Sequence, residues 1–284
     1  MSKDSSSISF TAYYTGEVWR QQGLSSPIFT NPTGQVLYQL GRPAEAMARL
    51  LAGTSIGITL LQRHQIIDAV VKQAIEQHGV SQIVEIACGF SPRGVRLREH
   101  YPHLHYIEAD LPEMAARKRH LLKHHGLLSR VHQVVDLDIL QPDGPLSVSQ
   151  VFAKQLDPQR RTLVITEGLV NYFELAVITG FWQRLALALS PFAKAAYVTD
   201  LYPNLRWHPM VKLSRAFKRS LALATRSTVS LHFDDHDAIE MGFIDCGFES
   251  IKVHIPEAYY DVLPIPSSRV ASLVRVVECW IQPE

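Results

Sequence analysis

Three stretches hold the residues best suited to grip a ligand. "ACGFSPRG" (87–94) carries one early glycine, Gly89, after an apolar run. "YIEAD" (106–110) ends on Asp110, and "VVDLD" (134–138) places Leu137 after Asp136. Gly89 lets a backbone approach a ligand with no Cβ in the way. An acidic residue ending a second strand can accept hydrogen bonds from both ribose hydroxyls of an adenosine. Asp136 can take the exocyclic amine of adenine while the Leu137 N–H serves a ring nitrogen. The G-x-G-x-x-G fingerprint of a dinucleotide site is missing, which disfavours a pyrophosphate cradle and a nicotinamide oxidoreductase. The pattern points to a nucleoside cofactor without phosphates and suggests S-adenosylmethionine. A structural α/β domain, or a binder of another adenosine compound, is the alternative.

These residues need strands to present them. "QIVEIAC", "HLHYIEAD", "VHQVVDLD", "TLVITEG" and "AAYVTDLY" are short apolar or alternating runs at even intervals. Helical stretches such as "LPEMAARKRHLLKHHG" and "ELAVITGFWQRLALAL" separate them. Apolar strands alternating with helices predict a mostly parallel sheet covered on both faces. "ESIKVHIP" and "LVRVVECWIQ" lack a long helix between them and predict an antiparallel C-terminal edge pair. Residues 1–79 read as a helical extension that caps the core and joins the cofactor site. In it Ala44, Met47, Leu50 and Leu51 share one face, Leu60, Ile67, Val71 and Ile75 lie near helical spacing, and Gly79 is a helix stop. The core spans 80–284, with a helical insertion at about 202–238 read as a lid. Met210, Leu213, Phe217, Leu221 and Ala224 form its apolar stripe; Lys212, Arg215, Arg219 and Arg226 fall elsewhere on it.

Composition narrows the class. The chain has 284 residues, 46% hydrophobic and 19% charged, with a net charge of +1. That charge argues against nucleic acid as a partner. Three cysteines without CxxC spacing favour a reducing cytoplasm over a disulfide framework. The N-terminus has no signal-peptide core, and the most apolar window carries Glu167 and Glu174, which disfavours a membrane span. Neither His120 with His124 nor "HFDDHD" (232–237) is read as a metal site: the first lacks a third ligand, and Asp234 or Asp235 in the second suits a helix N-cap. Cys88 reads as a small buried residue.

Five landmarks in register resemble the leucine carboxyl methyltransferase family of class I methyltransferases, including bacterial relatives of secondary and polyketide metabolism. They are Arg63 with Asp68 in "RHQIID", Gly89 with Arg93 in "ACGFSPR", "EADLP" (108–112) with the later Lys118, the pair Asp136-Leu137, and "TEGLVNYF" (166–173). The resemblance runs from about residue 60 to the end. It implies a Rossmann-like class I methyltransferase sheet and S-adenosyl-L-methionine as cofactor. Arg63 would pair with the methionine carboxylate and Glu167 would lie near the amino group. Gly89 would face the cofactor's backbone, and Glu85 and Arg93, from the first strand and its loop, would join the cofactor-binding set. Asp110 with Leu111 would serve the ribose, and Asp136 with Leu137 the adenine. The family's first loop glycine is Ala87 here, its Asp-Thr is Ser91-Pro92, and its second basic residue after the arginine is Gln65.

Methyl transfer from a sulfonium depends mainly on alignment. A carboxylate is already ionised at neutral pH and requires no general base, whereas a hydroxyl acceptor does. The expected activity is O-methylation, of a carboxylate on a small or medium-sized metabolite. A protein or peptide carboxyl methyltransferase, or a non-catalytic S-adenosylmethionine-binding protein, is the alternative. Tyr172, Tyr202 and His208 are pocket candidates, with packing under a lid the plainer role for each. The basic residues at 212–226 suit an anionic substrate or an acidic carrier protein.

Overall fold

The computed structural model describes residues 5–205 and 230–281. Seven strands form one sheet: β1 (Gln82–Ile86), β2 (His105–Asp110), β3 (His132–Asp136), β4 (Thr162–Thr166), β5 (Ala195–Leu201), β6 (Ser250–His254) and β7 (Arg275–Ile281). Their order is β3-β2-β1-β4-β5-β7-β6. β1 to β5 run parallel; β7 is antiparallel to both β5 and β6. The C-terminal pair is therefore antiparallel as the sequence suggests, with β7 inserted inside the sheet and β6 at its edge.

Eight helices are described: α1 (Ser5–Gln21), α2 (Pro32–Ala52), α3 (Ile56–Glu76), α4 (Arg93–His100), α5 (Pro112–His124), α6 (Val148–Gln155), α7 (Leu175–Leu189) and α8 (His236–Ile244). Because β1 and β4 are buried on both faces, their sequences are continuous apolar runs rather than alternating ones. On one face, Ile66, Ile67, Val70 and Val71 of α3 and Leu97 of α4 pack on Ile83, Leu163, Ile165 and Val198. α5 joins that side, with Lys118 paired to Glu108. On the other face, α6, α7 and α8 bring Phe152, Trp182 and Phe243 against Val84, Ile107, Val164 and Tyr197. α3 is thus a layer of the central sandwich as well as the last helix of the extension.

Local chemistry sets the helix ends. Asn31 caps α2 through Thr33 N–H, and Ser55 caps α3 through Ile58 N–H. Gly79, at φ +66°, closes α3 while Val80 N–H reaches Ala74 O at 3.0 Å. Asp235, not Asp234, caps α8 by accepting from Ala238 N–H. The face of α2 holding Ala44, Met47, Leu50 and Leu51 is exposed rather than packed inward. The insertion helix lies outside the described residues, as do His208, Lys212, Arg215, Arg219 and Arg226. Among the described residues, no single helix is long and apolar enough to cross a membrane.

Candidate active site

The parallel register aligns the carboxyl ends of β1, β2 and β3, and Asp110 is the direct partner of Asp136. Beyond β1 the chain turns through two left-handed residues, Ala87 (φ 54°) and Gly89 (φ 47°). Ala87 keeps there a backbone shape that glycine adopts more easily. Asp110 holds this turn: one carboxylate oxygen accepts from Gly89 N–H and the other from Leu111 N–H, both at 2.8 Å. Burial pushes the Asp110 carboxyl upward, and those two N–H groups oppose the shift.

The turn is also held from beneath. Lys118, fully buried, donates to Ser91 O at 2.8 Å and pairs with Glu108, which His132 Nε2 also meets at 2.9 Å. Burial would raise Glu108, but Lys118 and His132 hold it below the usual carboxylate range. Gly94 is required here, since a Cβ would fall 2.3 Å from Glu108 Oε1. Ser91 Oγ accepts from Arg93 N–H, so the Ser-Pro pair still satisfies a donor at the start of α4. From above, α1 covers the loop, with Tyr13 stacked on Phe90 at 5.9 Å between ring centroids.

Next to the loop is a dense ionic network. Arg93, wholly buried, donates to Asp68 Oδ1 (2.6 Å), Glu85 Oε1 (2.6 Å) and Glu167 Oε2 (2.5 Å). Arg96 also pairs with Asp68, and Tyr106 donates to Glu85 at 2.7 Å. His64 sits inside this set, 2.9 Å from Glu167 Oε2, under the ring of Trp19. Burial would raise Glu167, but His64, Arg93 and Arg63 hold it well below the ordinary range.

Arg63 faces this network from α3. Its Nε donates to Glu167 Oε1 at 3.1 Å, and its Nη1 donates to Asp200 Oδ2 and Tyr202 Oη, each at 3.3 Å. Among the described residues no group accepts a hydrogen bond from Arg63 Nη2. Gly168, at φ +66°, leaves room for that nitrogen, because a Cβ there would sit 2.7 Å from it. Burial raises Asp200, with Arg63 opposing; burial likewise pushes the Tyr202 phenol up to about 12. Asn171 fixes Tyr202 through both its N–H (2.9 Å) and its C=O (3.2 Å), and also donates to Ser230 O at 2.6 Å.

Gly89, Asp110, Leu111, Asp136 and Leu137 therefore gather at adjacent strand ends, with Arg63, Glu167 and Tyr202 grouped beside the loop. Leu111 leaves 42% of its surface exposed, an apolar contact beside Asp110. Asp136 Oδ1 accepts from Arg119 at 2.7 Å. Leu137 N–H donates to Asp110 O at 2.8 Å, because the ladder continues one residue past β3. That N–H is not free for a ring nitrogen, which corrects its expected role. Glu85 and Arg93 lie under the loop, paired to each other, and present no exposed surface. Gln65 turns away to Pro264 O. Tyr172 occupies a 3-10 turn, Val170–Tyr172. Sequence reasoning missed His64, Asn171 and Asp200. Only Asp200 carried a signal, as a carboxylate near the end of the fifth predicted strand.

A family model described as leucine carboxyl methyltransferase matches residues 31–181. No sequence among the curated proteins matches the chain. Solved structures match over nearly its whole length. A protein of family DUF574 from Streptomyces avermitilis aligns with TM-score 0.62 and 14% identity, covering 95% of this chain and 96% of that one. One assigned as a methyltransferase from Thermobifida fusca aligns with TM-score 0.63 and 14% identity, covering 94% and 93%. Another, assigned as an O-methyltransferase from Nostoc punctiforme, aligns with TM-score 0.52 and 14% identity, covering 94% and 72%.

Proposed function

We propose that this chain, which belongs to the leucine carboxyl methyltransferase family and is an S-adenosylmethionine-dependent methyltransferase, esterifies a carboxylate on a small or medium-sized metabolite. The residues suit the cofactor. Arg63 Nη2 is the open donor for an amino-acid carboxylate, and the neighbouring Glu167 and Asp200 carboxylates suit an ammonium. Asp110, its carboxylate already aimed by two backbone N–H groups, has lone pairs left for ribose hydroxyls. When bound, S-adenosylmethionine would supply a sulfonium methyl group, to be taken by an oxygen nucleophile from the side opposite the sulfur, with the neutral thioether as leaving group.

The observation that carries the carboxylate reading is the state of the ionisable groups around Arg63. Glu167 is committed to guanidinium partners, Asp200 accepts from Arg63 and from Gly168 N–H, and the Tyr202 phenol stays protonated at neutral pH. Of the described groups that Arg63 touches, Glu167 and Asp200 are ion-paired and the neutral Tyr202 phenol accepts from the guanidinium. That environment favours an acceptor arriving already ionised, with no proton to remove. The family description points the same way.

The test is a panel of carboxylic acids, phenols and peptides with free C-termini, incubated with methyl-labelled cofactor and then treated with mild base. Esters of small acids release labelled methanol. A base-stable product would contradict the carboxylate reading and make His208 a candidate base. Label transferred only to the peptides would move the substrate class to protein carboxylates.

A further inference from the structure

We infer that the outward face of α2 is the surface through which two copies of this chain associate. Val36, Leu40, Met47, Leu50 and Leu51 of α2, with Ile56 just beyond it, are 55% to 77% exposed. At about 100° per residue, the five on α2 fall within an arc about 100° wide. They run nearly the length of a 21-residue helix. Pro43, exposed as well, lies within that arc and exposed Ala44 just beside it. The charged residues of α2, Arg42, Glu45 and Arg49, all lie on the other side of the helix.

That other side is where α2 is fastened. Glu45 accepts from Gly57 N–H at 3.1 Å, and Tyr38 packs on Tyr14 at 6.3 Å between ring centroids. Gly34 lies so close to α1 that a Cβ would be 2.5 Å from Tyr13 O. The apolar stripe is thus displayed by a helix anchored through its opposite face.

Its size and chemistry select the occupant. Six large apolar side chains are each more than half exposed, which corresponds to an apolar surface on the order of several hundred Å². This is on the order of the ~800 Å² that each partner gives to a standard interface, and single exposed residues need no such explanation. A membrane-surface helix carries its basic residues on a solvent-facing polar side. α2 has only two basic residues, Arg42 and Arg49, too few for such a face, and Arg49 is held to Ser55 Oγ at 3.4 Å. A long uncharged stripe is self-complementary about a two-fold axis. Two α2 helices crossing antiparallel would bring the middle of the stripe, near Ala44 and Met47, against its own counterpart.

Sedimentation across the micromolar range tests this with the full chain. Wild type should sediment at twice the 32.0 kDa chain mass, and Leu40→Glu/Leu50→Glu at the chain mass with unchanged circular dichroism. Cys88, Cys246 and Cys279 are all buried, so one introduced surface thiol reports contact cleanly. Met47→Cys should form an intermolecular disulfide on mild oxidation; Arg42→Cys, on the far side, should not. The disulfide comparison decides the question even if the double variant misfolds. A wild type that stays monomeric throughout would overturn the inference. Equal cross-linking by both cysteine variants would overturn it too.

Discussion

Arg63 Nε donates to Glu167 Oε1 over 3.1 Å, joining α3 to the residue that follows β4. Nη1 is held as well, by Asp200 and Tyr202, so the guanidinium is fixed in plane, with Nη2 lacking an acceptor among the described residues. Gly168 is the backbone on which that arrangement rests. Gly168→Ala should push Arg63 aside without altering any charge. Affinity for S-adenosylmethionine should fall at least about tenfold, the scale for one charged hydrogen bond. Calorimetry showing wild-type affinity in this variant would disprove the placement.

In the proposed site Asp110 is the residue that would meet the ribose. Asp110→Ala removes an ionised acceptor and should cost about 1.5–3 kcal/mol of cofactor binding. The pH dependence follows from its raised pKa. Protonation removes acceptor capacity, so affinity should decline with falling pH sooner than for an ordinary aspartate near pH ~3.9. Asp110→Asn should flatten that decline. An unchanged slope would assign the titration to another group.

Ala87 sits at φ 54°, where the related family has glycine. The left-handed region costs an L-residue about 1–2 kcal/mol, part of it offset by the greater freedom of glycine in the unfolded chain. Ala87→Gly should therefore raise stability by about 0.5–1 kcal/mol in urea unfolding. Equal or lower stability would mean that the Ala87 methyl packs well enough to balance the strain.

Arg93 compensates three carboxylates, the buried Glu85 and Glu167 and the partly exposed Asp68. Asp68 and Glu167 are held below their ordinary pKa despite burial. Lowered folded values mean stability that is present above the unfolded pKa, about 4, and is lost as pH falls through the folded values. Arg93→Met should cost about 3–5 kcal/mol at neutral pH, and the gap from wild type should narrow as pH drops and the stranded carboxylates protonate. A gap independent of pH would show that Arg93 acts through packing instead.

The strands were legible because parallel strands buried on both faces appear as separate apolar runs, and Gly89, Asp110 and Asp136 sit at their ends. The ionic network was not. His64, Asp68, Glu85, Arg93, Glu167 and Asp200 come from four separate elements and the residue after β4, and only the sheet register makes them neighbours. Asp200 stood in plain view near a strand end, but without the topology nothing tied it to Arg63. The stripe of Met47, Leu50 and Leu51 was visible by periodicity. Periodicity gives a helix its apolar face but does not say whether that face meets the core or the outside. Leu137 shows the limit at atomic scale: its residue type suited an adenine contact, while its N–H was already committed to Asp110.

Arg63 is proposed to receive the amino-acid end of the cofactor. Titrating wild type and Arg63→Ala with S-adenosylmethionine and with 5′-methylthioadenosine, which lacks that end, tests it directly. The variant should lose at least about tenfold in affinity for S-adenosylmethionine and bind 5′-methylthioadenosine nearly as wild type does. Equal losses for the two ligands would contradict the account, because Arg63 would then be supporting the fold of the site rather than holding the cofactor.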